Sequence, residues 1–222
     1  MLKKSIGITH KILKHPKYDE SLDCLDIRWS KLLTKLDFLP VPLATVEKKY
    51  VSTQLDALQL DGVILSGGDT PSMNLRNLNK IKITKKNKNN IFRDTYEFQL
   101  VIECLKRKIP IVGVCRGLQI LNIIYGGSLI KVSGHANKSK HKITIDKKNK
   151  FFDLPFKVNS YHNYGISKET LSPELLPLAF DSEGNIEALQ HQVEKVIGIM
   201  WHPEREKTVQ KNDHKLFKKF FL

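Results

Sequence analysis

The stretch Pro110-Ile111-Val112-Gly113-Val114-Cys115-Arg116-Gly117-Leu118-Gln119-Ile120-Leu121, closed by Gly126-Gly127, decides the fold. Pro110 to Val114 is a continuous apolar run, the pattern of a strand covered on both faces. Gly117 to Tyr125 carries its apolar residues at helical spacing. Between them Gly113-Val114-Cys115-Arg116-Gly117 has the form Gly-x-Cys-x-Gly. A strand that turns straight into a helix through glycine-flanked residues resembles the nucleophile elbow of α/β enzymes. The glycines permit the close backbone approach that such a turn needs. The alternative for this pentapeptide is a small buried cysteine with packing glycines.

Working outward, the same alternation continues. Ser5 to Thr9, Leu39 to Leu43 and Gly62 to Leu65 read as strands, although Pro40 and Pro42 make the second awkward. Ser128 to Val132, Lys142 to Ile145, Ile186 to Leu189 and Val196 to Met200 read as shorter ones. Asp23 to Leu36, Gln54 to Leu58, Asp94 to Lys106 and His214 to Leu222 read as helical. Strands alternating with helices predict an α/β fold, a doubly wound, mostly parallel sheet flanked by helices. No repeat or linker divides the chain, so one domain over 1–222 is expected. Lys80 to Asn90 is the candidate mobile loop.

Ligands on such sheets bind at the carboxyl ends of the strands, and three motifs fall there. Cys115 faces the start of its helix, whose dipole favours thiolate. The backbone amide of Arg116 would point at a developing oxyanion. Ser66-Gly67-Gly68-Asp69 follows a buried strand and leaves amides free, Gly68 being the candidate second oxyanion donor; a plain strand-ending turn is the alternative. In Trp201-His202-Pro203-Glu204, Pro203 biases His202 toward extended backbone. Residues two apart in an extended segment point the same way, so Glu204 is placed to orient the His202 imidazole. His202 would then take the thiol proton of Cys115.

Composition bounds the rest. Lys plus Arg is 37 and Asp plus Glu is 23, a net charge of +14. The denser basic runs, Lys80 to Asn90 and Lys138 to Lys150, carry no interleaved aromatics, which argues against a stacking platform for nucleic acid. A basic surface that attracts anionic metabolites fits better. No apolar run approaches the ~18 residues of a membrane span, and Met1-Leu2-Lys3-Lys4 lacks a signal peptide's apolar core, so a cytoplasmic protein is expected. The three cysteines, Cys24, Cys104 and Cys115, form no CxxC pair and no disulfide framework, so no metal site of that spacing is expected.

Taken together, these residues resemble class I glutamine amidotransferase domains, most closely their γ-glutamyl hydrolase (peptidase C26) branch, over nearly the whole chain. Ile6-Gly7-Ile8-Thr9, Ser66-Gly67-Gly68, Arg93-Asp94 with Glu97, Gly113 to Gln119, Asn159-Ser160-Tyr161-His162, Ile186-Glu187-Ala188 and Trp201-His202-Pro203-Glu204 carry the likeness. The resemblance implies a flavodoxin-like three-layer sandwich and a cysteine-dependent hydrolase of γ-glutamyl amides that needs no cofactor. It implies Cys115 as nucleophile, His202 as base and then acid, Glu204 as orienting carboxylate, and Gly68 and Arg116 as oxyanion donors. It places Gln119, Ser160 and Tyr161 against the glutamyl group, and leaves Arg93, Asp94, Glu97 and His162 without an assigned role. Two departures stand out: Gly67-Gly68-Asp69-Thr70-Pro71 is shorter than the family's segment, and Met200 stands where Gln is frequent.

The leaving group stays open between three readings. Short members of this branch look like enzymes of surface-polysaccharide phosphoramidate synthesis, which implies γ-glutamyl-CDP-amidate, and a +14 chain suits a diphosphate. The second is γ-glutamyl-γ-aminobutyrate. The third is a glutaminase subunit that passes ammonia to a separate synthase. A non-catalytic module binding nucleic acid or another anionic partner is the competing class, and the intact Cys115, His202 and Glu204 argue against it. The expected partner is a small-molecule γ-glutamyl substrate, with no nucleic acid and no membrane insertion; a homodimer stays open.

Overall fold

Buried β-branched strands and glycine-rich strand ends set the architecture of the chain in its computed structural model, which describes residues 4–72, 88–136, 139–147, 149–153 and 156–222. The strands are β1 (Lys4–Thr9), β2 (Lys11–Lys14), β3 (Ser21–Cys24), β4 (Phe38–Leu43), β5 (Gly62–Leu65), β6 (Ile111–Val114), β7 (Ile130–Lys131), β8 (Ser139–Ile145), β9 (Phe156–Ser160), β10 (Tyr164–Gly165), β11 (Leu175–Phe180), β12 (Ile186–His191) and β13 (Val196–Ile199). The helices are α1 (Ile27–Lys35), α2 (Val51–Leu58), α3 (Lys88–Lys106), α4 (Arg116–Ile124) and α5 (Lys211–Phe221). Among the described residues, nine strands form the central sheet in the order β4-β1-β5-β6-β13-β12-β11-β8-β9. The expected doubly wound sheet is there: β4, β1, β5, β6 and β13 run parallel, and an antiparallel meander extends it from β12 outward.

The strands alternate their side chains between two layers, as the period of 2 requires. Ile6, Ile8, Ile64, Val112, Ile197 and Ile199 join one core cluster with Trp29 and Leu33 of α1 and Phe217 and Phe221 of α5. Val63, Leu65, Ile111 and Val196 join the other with Leu55 of α2, Leu100 of α3 and Leu118 of α4. The awkward strand β4 is an edge strand, where Pro40 and Pro42 cost no ladder bond on the open side.

The helix expected over Asp23 to Leu36 is corrected at its start: Asp23 and Cys24 lie in β3, which pairs with Lys11–Lys14 in a hairpin, and α1 begins only at Ile27. Asp26 stops the helix there, its carboxylate accepting the Arg28 amide at 3.0 Å as an N-cap. Most of the expected mobile loop, residues 80–87, lies outside the described residues; Lys88 to Asn90 form the first turn of α3. No described helix is long and apolar enough to cross a membrane.

Register positions the site. Leu65 pairs with Gly113, Gly113 with Gly198, and Val114 with Ile199. The chains leaving β5, β6 and β13 therefore emerge side by side at the carboxyl edge, carrying Ser66 to Gly68, Cys115, and Trp201 with His202.

Candidate active site

Cys115 is held in a strained backbone conformation. Its φ is 52° and ψ −101°, a positive φ that a residue with a Cβ adopts only when its surroundings force it. The force comes from both glycines. A Cβ at Gly113 would lie 2.6 Å from the Gly117 backbone, and one at Gly117 would lie 2.1 Å from the Leu65 carbonyl oxygen. Strand and helix pass too closely for any side chain at either place. The Cys115 amide donates to Ile199 O at 2.8 Å, tying the elbow to β13. Arg116 opens α4, where a helix leaves its first amides without acceptors. Cys104, by contrast, is packed within α3, and burial pushes its thiol up to about 12.

His202 and Glu204 meet, though not by the extended route expected. His202 is extended (φ −112°, ψ 91°), but Pro203–Arg205 is a single 3₁₀ turn with His202 as its cap. That turn swings Glu204 Oε1 to 2.7 Å from His202 Nδ1. Both side chains are buried. Burial by itself lowers the His202 imidazolium, but the charges of Cys115 and Glu204 and hydrogen bonds to both outweigh it, raising His202 to about 9. Asn159 then clamps the His202 backbone from both sides, accepting its amide at 2.8 Å and donating to its carbonyl at 2.9 Å. Asn159 stands in the Asn-Ser-x-His segment, yet its partner lies 43 residues away, so no local pattern reveals the clamp. The T-shaped ring of Tyr161 packs on His202, 5.3 Å between centroids, and carries the Arg205 guanidinium on its ring at 4.2 Å.

On the other side of Cys115 lies the loop Ser66-Gly67-Gly68. A Cβ at Gly67 would meet His202 Cε1 at 2.5 Å, so only glycine lets the loop pass the imidazole. Neither Gly67 N–H nor Gly68 N–H has an acceptor among the described residues. Arg93, Asp94, Glu97 and Arg116 form a fully buried network of two cations and two anions behind it. Arg116 binds both Asp94 and Glu97. Arg93 Nε donates to Glu97 Oε1 at 2.9 Å, and Thr9 Oγ1 donates to the same carboxylate at 2.7 Å. Burial raises Glu97, but the guanidinium groups of Arg116 and Arg93 and these hydrogen bonds hold it below the usual carboxylate range.

The expected glutamyl-binding residues are drawn together less directly. Gln119 donates Nε2 to Tyr164 O at 2.8 Å, beside the Met200 sulfur at 4.0 Å, which leaves its Oε1 uncommitted. The Ser160 hydroxyl is fully buried and donates inward to His135 O at 2.9 Å, so this side chain is turned away from the cleft. Beneath the turn lie His135, His141 and His162 around the buried Glu187, with nitrogen to Oε1 distances of 3.8, 3.5 and 3.8 Å. His135, His162 and Glu187 are the one described trio whose ligand atoms come within 4.8 Å of one another. Both nitrogens of His135 are already engaged, by Asp181 at 3.0 Å and Ser160 at 3.1 Å, so His135 supports the turn through Ser160, while Glu187 has no hydrogen bond among the described residues. Burial and the neighbouring His135 push His162 down to about 4.

A cleft lined by Lys11, Cys24, Asp26, Gly67, Gly68, His202 and Arg205 opens onto this site. A doubly wound sheet with a cysteine on its strand–helix elbow and a His–Glu pair on the neighbouring strand end defines the class I glutamine amidotransferase-like fold. Solved structures bear this out. A glutamine amidotransferase of Thermotoga maritima covers 99% of this chain and 84% of its own at a TM-score of 0.62 and 17% identity. PurLQS of the same organism covers 99% and 98% at a TM-score of 0.66 and 16% identity. The sequence model of Peptidase C26 matches residues 5–204, and the chain belongs to that family. Among curated relatives, the γ-glutamyl-CDP-amidate hydrolase of Campylobacter jejuni is 34% identical over 97% of this chain and 96% of its own. Protein NtpR of Enterococcus hirae is 32% identical over 82% and 81%.

Proposed function

We propose that this protein hydrolyses a γ-glutamyl amide through a thioester on Cys115, with γ-glutamyl-CDP-amidate as its substrate, in surface-polysaccharide phosphoramidate synthesis. The observation that carries the reading is the strained Cys115 set against the buried His202–Glu204 pair. The sulfur of Cys115 attacks the γ-carbonyl, and its proton passes to His202. The resulting oxyanion rests on the Gly68 and Arg116 amides, donors worth about 2.7–4 kcal/mol each in such sites. The C–N bond breaks as His202 protonates the leaving nitrogen. Water, deprotonated by His202, then attacks the thioester and releases glutamate and the free thiol. Glu204 holds the imidazole in one tautomer throughout. Gln119 Oε1 and the backbone of Ser160 and Tyr161 face the glutamyl group.

The nucleotide amidate is supported by the likeness to the Campylobacter jejuni hydrolase, by Lys11 and Arg205 in the cleft, and by the net charge of +14. The test incubates the protein alone with γ-glutamyl-CDP-amidate, γ-glutamyl-γ-aminobutyrate and glutamine and measures glutamate release. The nucleotide amidate is expected to turn over fastest, at a rate that falls with added salt, and Cys115→Ala to abolish release. Release from glutamine alone would replace this reading with a glutaminase that feeds a synthase.

A further inference from the structure

We propose that Arg93 is the positioning residue that presets the oxyanion hole, so that the hole forms without a second protein; the proposal deepens the acyl-transfer reading above and rests on it. One planar guanidinium grips two successive carbonyls of the loop. Arg93 Nη2 donates to Ser66 O at 2.8 Å and to Ser66 Oγ at 3.1 Å, and Nη1 donates to Gly67 O at 3.2 Å. The described chain contains no cis peptide bond, and in a trans peptide the C=O and the following N–H point in opposite directions. Drawing Gly67 O toward Arg93 therefore turns Gly68 N–H away from it, toward the side where His202 and the elbow stand. Drawing Ser66 O the same way turns Gly67 N–H likewise. Neither of these two amides has an acceptor among the described residues.

The grip is itself fixed from behind. Arg93 Nε is bound to Glu97, which Arg116 and Thr9 also bind. Thr9 Oγ1 accepts the Ser66 amide at 3.0 Å, and Ser66 Oγ donates to Thr9 O at 2.7 Å. The loop is thus anchored at β1, at α3 and at the residue after the nucleophile. Glycine at 68 keeps the space open, since a Cβ there would fall 2.3 Å from Arg93 Nη1. A flipped Gly67–Gly68 peptide would set its carbonyl into the hole and leave Arg93 with an unmatched buried donor, so the arginine selects one orientation.

Arg93→Lys keeps the charge but cannot span both carbonyls. Its kcat on the γ-glutamyl substrate is expected to fall about 10²–10³-fold, the loss of one oxyanion donor, with KM little changed. Alkylation of Cys115 by iodoacetamide, which develops no oxyanion, should stay within about twofold of wild type. Ser66→Ala, which removes one Arg93 acceptor and the bond to Thr9 O, should lose about tenfold in kcat by the same loosening of the loop. Crystal structures of the wild type and of Arg93→Lys read the peptide directly: Gly68 N–H toward Cys115 in the first, displaced in the second. Unchanged kcat, an equal fall in kcat and alkylation, or an unmoved peptide in Arg93→Lys would overturn the assignment. A wild type that turns over no γ-glutamyl amide would overturn the acyl-transfer reading, while the two crystal structures would still decide the role of Arg93 in the loop.

Discussion

Two buried polar clusters flank Cys115, and they solve the same problem with opposite chemistry. Behind the Ser66–Gly68 loop, Arg93 and Arg116 face Asp94 and Glu97 in a network whose charges balance. Beneath the Asn159–His162 turn, three imidazoles surround Glu187, whose two oxygens have no hydrogen-bond partner among the described residues. The two guanidinium groups keep their charge at working pH, while burial raises their partner Asp94 to about 6. In the second, burial and the neighbouring His135 hold His162 down to about 4, so this imidazole is neutral at working pH. The first cluster is closed by ion pairs and hydrogen bonds, and the second leaves its carboxylate without a hydrogen bond among the described residues.

The largest break in this comparison is Glu97→Gln. It leaves two buried guanidinium groups with one carboxylate, and should cost about 3–5 kcal/mol of stability, read as a lowered urea midpoint. A cost under about 1 kcal/mol would mean the network is solvated and not saturated. His162→Gln sharpens the other side. His162 is held to about 4, below its ordinary 6.5, so its contribution is full above pH 6.5 and is lost as pH falls through 4. Wild-type stability should drop by up to about 3 kcal/mol over that window through this group, and the variant's curve should be flatter there. Parallel curves would remove the titratable character claimed for this cluster. The smallest effect is at Lys140, whose exposed pair with Glu206 at 3.0 Å backs the Asn159 clamp. Lys140→Ala should change stability by no more than about 0.5 kcal/mol. A larger loss would mean that the clamp on His202 depends on the rim.

The same division governs what could be read before the structure. The parallel half was legible because β5, β6 and β13 are buried on both faces and spell unbroken apolar runs ending in glycine or a site residue. The antiparallel half was legible only in fragments. Strand β9 mixes Lys157 and Asn159 with Val158, β11 carries Pro177, and β8 shows mostly lysine, histidine and threonine. In β8 the lysines and Thr144 are exposed, but His141 takes an inward position beside Glu187, so a polar residue stands where the pattern calls for an apolar one. The β2–β3 hairpin buries almost nothing, so it left no apolar signature, and its last two residues, Asp23 and Cys24, were absorbed into a helical reading.

Site residues followed the same logic. Cys115, with its flanking glycines, and His202 with Glu204 are neighbours in sequence, so the spacing alone carried them. The work of Arg93 depends on carbonyls 26 and 27 residues earlier, and His135 sits in no motif at all. The inward turn of the Ser160 hydroxyl depends on that same distant histidine.

Acyl transfer through a thioester requires that Cys115 carry the glutamyl group during turnover. The direct measurement is mass spectrometry of the protein quenched in acid during turnover of γ-glutamyl-CDP-amidate. One added γ-glutamyl group is expected on the peptide bearing Cys115, present in wild type and missing in Cys115→Ser. Continued glutamate release by Cys115→Ser, with no adduct on that peptide in wild type, would contradict it.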